Sequence, residues 1–432
     1  MDYGLKKMPK SLRELYNELR GAQEEGKHAR AVNSSEDPFI VKLTQLLFAH
    51  GIELRASDIH LEPTPSGARV RYRIDGILQE MLQLSEEISE PLARSIKVKA
   101  NMVTEATSRS KPQDGRIAFE ADGRKLDLRL SSFPTIFGDV LAVRILDRSA
   151  PQLALEQLGC PPGVLKKFER LIHRPSGLVL VTGPANSGKT TTLYAALDKL
   201  RSPHIKIVTL EDPVEYQMEG IDQAQVNPTV GLTFASGLRA ILRQDANIIL
   251  LGEIRDRETA EIAIRAALTG HLVFSTLHTR HACGAVIRLM DMGIEPHLIV
   301  ASVNGIVAQR LVRLNCPSCK TQDSAAPKAF TRLWTQETGS EPSGFDMAGF
   351  RKGTGCADCA HTGYQNRAGI FELLVLSEEP KRLIIDRASE RLYKAAVASG
   401  MRTMLLDGLE KASQGLTTVE EVLRVTGETE DF

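Results

Sequence analysis

The sequence has no long apolar run. Its longer ones, such as LVLV at 178–181 and IILL at 248–251, are strand length, against the roughly 20 residues that a bilayer-spanning helix needs. Any membrane contact is therefore expected to be peripheral or through a partner. Net charge is absent too: 54 Lys plus Arg stand against 54 Asp plus Glu, so nothing global points to a nucleic-acid partner. The opening MDYGLKKMPKSLRELYNELR has no apolar stretch behind its basic residues and does not read as a secretory signal. No internal repeat and no low-complexity tract interrupts the chain. Cysteine is scarce, with six in 432 residues. Four form two Cys-x-x-Cys pairs, Cys316/Cys319 and Cys356/Cys359. Without an export signal these read as metal ligands in a reducing compartment rather than disulfides. Cys160 and Cys283 stand alone and read as small buried core residues.

What is present is globular. Hydrophobic content is 42% and charged content 25%, and the length suggests two to four domains. Residues 1–37 read either as one amphipathic helix, with Leu12, Leu15 and Leu19 on one face, or as a loose arm. From residue 38, DPFIVKLTQLLFAHGIELRA has helical spacing. ARVRYRIDGILQEM reads as two strands about the Asp75-Gly76 turn, and RIAFEADGRKLDLRLSSFP as two more about Asp122-Gly123. DVLAVRIL follows as a strand, giving an α+β domain over 38–148. Over 149–312 apolar strands alternate with helices: GLVLVTG, TTTLYAALDKLR, KIVTLED, GLRAILRQ, NIILLGEI, TAEIAIRAALTG and HLVFSTLH. That alternation predicts a parallel, doubly wound sheet. Residues 313–375 hold the cysteine pairs about an insertion with little expected core, and 376–432 read as helical, with a capping box from Thr417 to Glu420.

GPANSGKT at 183–190 fits G-x-x-x-x-G-K-[ST] between a predicted strand and a predicted helix. Gly183 and Gly188 permit backbone angles that turn N–H groups toward a phosphate across Pro184, Ala185, Asn186 and Ser187. The helix beginning at Lys189, Thr190 and Thr191 aims its positive end at the same place. Lys189 reaches for the β- and γ-phosphates of ATP and Thr190 for Mg²⁺. Carboxylates stand at two strand ends, where ligands bind in such sheets: Glu211, Asp212 and Glu215 after KIVTL, and Glu253 after IILLG. Glu253 is assigned to water activation and Glu211 to water or metal positioning, with Asp212 in support. The alternative is that the first three cap a helix or pair with arginines. His271 and His278 stand at the two ends of the strand LVFSTL, and His278 is placed to sense a γ-phosphate.

Together GPANSGKTTTLYAAL, TLEDPVEY, ILRQDANIILLGEIRDRETAEIAIRAALTGH, FSTLHT and IVAQRLVRLNCPSC resemble the secretion ATPase superfamily, in its type II secretion and type IV pilus-assembly branch. SDIHLEP, KPQDGRI, LRLSSFPTIFGDVLAVRIL and GCADCAHTGYQNRAGIFELL extend the likeness over about 38–427. The resemblance implies an α/β fold: a RecA-like P-loop core, an α+β domain before it and a zinc-binding extension. It implies that residues 183–190 are the Walker A loop, that Glu211, Asp212 and Glu215 form an Asp box, that Glu253 is the Walker B glutamate and that His271 and His278 form a His box. Arg116, Arg129 and Arg144 match first-domain arginines, some of which face the nucleotide; neutralising a γ-phosphoryl group in transit is worth roughly 10³–10⁵ in rate. Strand-surface salt bridges are the other reading of these arginines. A homohexameric ring is implied, in the cytoplasm against the inner membrane, driving a platform protein embedded there.

The chain departs from the family twice. Asp245-Ala246-Asn247 stands where Asp-Pro-Asp is usual, which removes one carboxylate near the metal, but Glu253 remains and hydrolysis is still expected. The arm over 1–37 leaves little room for the extra domain that the family often carries to dock on a membrane partner. The four thiolates predict a closed, structural Zn²⁺ site, with His361 outside it. They argue against a retraction motor, which normally lacks them. A DNA-transfer motor and a non-hydrolysing ATP-binding scaffold are the rivals of another class. LVRLNCPSC and TTVEEVLRVTGE lean toward type II secretion over type IV pilus extension.

Overall fold

A computed structural model of the chain describes residue 35 and residues 37–104, 111–121, 123–147 and 153–427. The helix-or-arm reading of the N-terminal segment lies outside the described residues. The chain divides into two compact units, 1–150 and 151–432.

The first unit opens with α1 (Pro38–Glu53). Asp37 accepts from the Phe39 amide at 2.9 Å, and Pro38 occupies the first helical position, where its missing N–H costs nothing. Ile40, Leu43, Leu47 and Phe48 form its buried stripe. There follow β1 (Ala56–Thr64), β2 (Gly67–Ile74), β3 (Ile77–Ser85), α2 (Glu86–Lys99), β4 (Gln113–Ala121), β5 (Arg124–Thr135) and β6 (Gly138–Asp147). The strands make one sheet in the order β3-β2-β1-β6-β5-β4, antiparallel throughout. Leu126, Leu128 and Leu130 of β5 point into a core shared with Tyr72, Leu92 and Ile96, while the residues between them look outward. Both predicted strand pairs are present. β1 and α2 have no counterpart in the pattern. β1 carries Asp58, His60 and Glu62 among its residues, and α2 holds Pro91 in its interior, a residue that ordinarily argues against a helix.

The second unit runs α3 (Pro162–Ile172), β7 (Gly177–Thr182), α4 (Lys189–Leu200), β8 (Ile207–Glu211), β9 (Asp222–Gln225), α5 (Phe234–Ile241), β10 (Ile248–Leu251), α6 (Arg257–Leu268), β11 (Leu272–Leu277), α7 (Ala282–Asp291), α8 (Pro296–Ser302) and β12 (Val303–Asn315). Beyond these come β13 (Lys320–Gln322), α9 (Ala326–Thr338), β14 (Arg351–Gly353), β15 (Tyr364–Leu374), α10 (Glu378–Ile385), α11 (Ser389–Ala398), α12 (Met404–Ser413) and α13 (Val419–Thr426). Seven strands form one sheet in the order β15-β12-β7-β11-β10-β8-β9. Alternate residues of β7 enter opposite cores: Leu178 and Leu180 pack with α5, α6 and α7, and Val179 and Val181 with α3 and α4. A sheet covered on both faces needs apolar residues at every strand position, which is why these strands were legible.

The structure corrects four expectations, beginning with the sheet. It is parallel except at one edge, where β15 runs antiparallel to β12. β15 lies in the stretch assigned to a separate cysteine module, and β12 crosses residue 312, so strands of the core sheet flank the cysteines. The insertion between the cysteine pairs is not coreless: Phe330, Trp334, Phe345 and Phe350 pack ring against ring, with centroids 4.6–5.5 Å apart. Its Ser, Thr and Pro content hides four aromatics in a window average. The C-terminal cap is shifted by one residue. Thr418 accepts from the Glu421 amide at 3.1 Å, whereas the Thr417 hydroxyl donates to the Arg313 carbonyl at 2.7 Å. Among the described residues no helix is long and apolar enough to cross a membrane.

Candidate nucleotide site

In a parallel sheet every strand delivers its following loop to the same edge. β7, β11, β10 and β8 are neighbours in that order, so the loops after them share one rim. The loop after β7 is Gly183–Thr190. Gly188 has φ 83° and begins α4, an angle that a side chain resists. A Cβ on Gly183 would lie 2.5 Å from Ser187 Oγ and 2.6 Å from the Gln309 carbonyl oxygen. Both glycines are therefore required by the turn. Pro184, Ala185 and Asn186 are exposed, Ser187 is buried, and Thr190 and Thr191 are half-buried in the first turn of α4. Lys189 Nζ donates to the carbonyls of Gly183 and Pro184, each at 2.9 Å. Burial lowers its pKa to about 8, an effect that Glu253 opposes and Arg310 assists. An ammonium held only by loop carbonyls, at the start of a helix, is a cradle for an anion.

Glu253 stands just beyond β10, with its side chain 19% exposed. His278 Nε2 lies 3.3 Å from its Oε2. Arg255 Nε donates to Glu253 Oε1 at 2.6 Å, and Arg255 Nη2 lies 3.3 Å from Asp212 Oδ2. Glu253, Asp212 and His278 thus gather at the rim beside the loop, as their positions after β10, β8 and β11 require.

Glu211 and His271 do not join them. Glu211 is the last residue of β8, and its side chain turns inward: the residue is 3% exposed. Its carboxylate accepts from Thr209 Oγ1 at 2.5 Å, from Gln223 Nε2 at 3.3 Å and from the Tyr194 hydroxyl. Burial raises its pKa, and the three donors work against that rise. Strand alternation sends residues 209 and 211 to one side, and there the donors of α4 and β9 take up the carboxylate. His271 precedes β11, so a strand of six residues separates it from His278, about 20 Å at the usual rise. Its Nδ1 lies 3.1 Å from the Ala266 carbonyl, which ties it to the end of α6.

The three arginines belong to the first unit, where they form a row. Arg116 is opposite Arg129, Arg129 opposite Arg144, and Arg144 opposite Asp58. Asp58 accepts from Arg144 Nε at 3.1 Å and lies 3.6 Å from Arg73 Nε. Arg129 Nε is buried without a partner. Like charges set directly across neighbouring strands repel, and one carboxylate serves two guanidinium groups here.

Cys316, Cys319, Cys356 and Cys359 bring their four sulfurs within 4.8 Å of one another. Three of the separations are 3.8, 3.8 and 3.7 Å. A tetrahedron with metal–sulfur bonds of about 2.3 Å has edges of about 3.8 Å, so the set fits Zn²⁺. The amides of Gly355, Cys356 and Gly363 point at the sulfurs of Cys319 and Cys359 from 3.2–3.3 Å, which suits thiolates. Burial raises the thiol pKa of both Cys160 and Cys283 to about 12, which marks them as inert core residues. Spacing missed Arg255, Tyr194 and Gln309, whose places depend on which strands become neighbours.

A family model described as "Type II/IV secretion system protein" matches residues 33–424. "Type II secretion system ATPase E" of Vibrio cholerae serotype O1 is 45% identical over 408 residues, 94% of this chain and 79% of that one. "Type II secretion system protein E" of Xanthomonas campestris pv. campestris is 45% identical over 394 residues, 91% and 68% of the two chains. Among solved structures, the pilus retraction motor PilT with bound ADP superposes with a TM-score of 0.58 at 27% identity, covering 89% of this chain and 96% of that one. The Legionella pneumophila ATPase DotB gives 0.65 at 19% identity over 92% and 100%, a likeness of fold alone.

Proposed function

The chain belongs to the type II/IV secretion system protein family, and on that premise we propose that it is the ATP-hydrolysing motor of a bacterial type II secretion system, driving protein export or pseudopilus assembly. The observation that carries this reading is Lys189 at the head of α4, parked on the carbonyls of its own loop, with Glu253 and His278 3.3 Å apart on the same rim. Lys189 exchanges those carbonyls for the β- and γ-phosphates of ATP. The loop amides between Gly183 and Lys189 hold the phosphate chain, and Thr190 supplies a hydroxyl to Mg²⁺. Once bound there, Mg²⁺ would supply positive charge that offsets the charge of the phosphates. Glu253 takes the proton of the attacking water, and His278 orients against the γ-phosphate. Asp212 supports Glu253 through Arg255, which contacts both carboxylates. Glu211 and His271 act on this scheme only through the fold, by holding α4 to β9 and α6 to β11.

The arginine row of Arg116, Arg129 and Arg144 is underneutralised, which supports its meeting an anion; in a homohexameric ring that anion is bound ATP. The four cysteines hold Zn²⁺ as a structural ion between β12 and β15. The family and its named relatives support a place at the cytoplasmic face of the inner membrane, where a platform protein receives the motion. The test is phosphate release by the purified full chain with Mg²⁺. Glu253→Gln is expected to bind ATP and lose at least about a hundredfold in turnover, and Lys189→Ala to lose binding and turnover together. Equal turnover in wild type and Glu253→Gln would remove Glu253 from the chemistry.

A further inference from the structure

We propose that Gln309 is a positioning residue for the phosphate loop and that it sets nucleotide affinity. The inference rests on the reading of residues 183–190 as the ATP site and concerns the strand beside it. β12 runs parallel to β7 with Ala308 opposite Thr182. The next residue, Gln309, therefore stands where β7 gives way to the loop. It is 1% exposed. Its Nε2 donates to the Ser187 carbonyl at 2.7 Å, and its Oε1 accepts from Thr192 Oγ1 at 2.8 Å. One side chain thus grips the last turn of the loop and the first turn of α4.

Both motif glycines face the same residue. A Cβ on Gly183 would meet its carbonyl oxygen at 2.6 Å, and one on Gly188 its Nε2 at 3.1 Å. The loop is therefore moulded against Gln309. The bond to Ser187 has a chemical consequence. A trans peptide is planar, with C=O and N–H on opposite sides, so drawing the Ser187 carbonyl toward β12 turns the Gly188 N–H the other way, into the loop's concavity. The bonds that Lys189 makes to Gly183 and Pro184 must break when phosphate arrives, whereas the bond from Gln309 need not. The site asks for a donor to a carbonyl and an acceptor from a hydroxyl on one side chain. Glutamine supplies both; a glutamate carboxylate or a leucine does not.

The experiment uses the full chain and measures Mg·ATP hydrolysis, binding of a fluorescent ADP and thermal melting for wild type, Gln309→Glu, Gln309→Leu and Lys189→Ala. Both Gln309 variants are expected to weaken ADP binding and raise KM about tenfold, with kcat at saturation changed less than about threefold, because Glu253 and Lys189 remain. Gln309→Glu is further expected to regain affinity, relative to wild type at the same pH, between about pH 8 and about pH 6. Protonation of the new carboxyl restores a donor to Ser187. Gln309→Leu shows no such recovery. ADP affinities within twofold of wild type in both variants would overturn the proposal. So would a loss that follows melting temperature alone and lacks the pH recovery of Gln309→Glu. If Lys189→Ala binds ADP as wild type does, the nucleotide site itself is misplaced; if only the Gln309 variants do, the site stands and the positioning role falls. Should Gln309→Leu fail to fold, Gln309→Glu read at two pH values on one folded sample still decides.

Discussion

Lys189 carries a charge that its surroundings only partly support. Burial brings its pKa to about 8, so Lys189 loses its charge as pH rises through that value, while the unfolded chain keeps its own to about 10.5. In that window the folded chain holds fewer protons than the unfolded one, so this residue makes the fold slightly more stable as pH rises. Binding has the opposite sign. Phosphate needs the ammonium, so above about pH 8 each binding event takes up a proton. ATP affinity is expected to be flat just below pH 8 and to fall by up to about tenfold per pH unit above it. Titration calorimetry in two buffers of different ionisation heat checks this, and zero proton uptake at about pH 9 would contradict it. The residue's identity was plain in the sequence because two glycines and a lysine at fixed spacing are a backbone requirement written into residue types. The inward turn of Glu211 was not plain: alternation leaves a strand-end carboxylate either side to choose, and the choice falls to Tyr194 and Gln223, which are remote in sequence.

Between β12 and β15 an antiparallel ladder runs from Ile306 opposite Leu374 to Asn315 opposite Tyr364. The cysteine pairs sit just beyond its open end, Cys316 after one strand and Cys359 ahead of the other. If Zn²⁺ binds there, it clasps the two strands, and Gln309 lies within the same ladder. Chelation of the metal, or Cys356→Ser, is therefore expected to lower the melting temperature of the second unit by several degrees and to leave the first unit unchanged. Metal analysis should give about one zinc per chain, falling to near none in Cys356→Ser; retention of zinc by that variant would rule out a four-thiolate site. Pattern reading found the strands that are buried on both faces, because they must be apolar throughout. It missed β15 as a core strand because residues between Tyr364 and Ala368 are polar and follow a cysteine pair. It missed α2 because Pro91 signals a break that tertiary packing of Ile88, Leu92 and Ile96 overrides.

The molecule as a whole holds its candidate catalytic groups in two units, with arginines in one and the phosphate loop in the other. A ring motor can draw them from different copies of the chain. Arg129→Ala and Glu253→Gln are each expected to be nearly inactive alone, and a mixture reassembled from both should regain a measurable fraction of wild-type turnover. No recovery at any mixing ratio would argue that each chain completes its own site. The topology of the second unit also has a consequence for synthesis. β7 is fully synthesised at residue 182, yet its neighbours β11 and β12 begin only at residues 272 and 303, and the C-terminal helices that share its core finish at Thr426. At roughly 5–20 residues per second, an apolar strand waits on the order of ten to fifty seconds for its last partners. For that interval the apolar faces of β7 stay uncovered, and slow codons placed late in the gene are expected to prolong this aggregation-prone state.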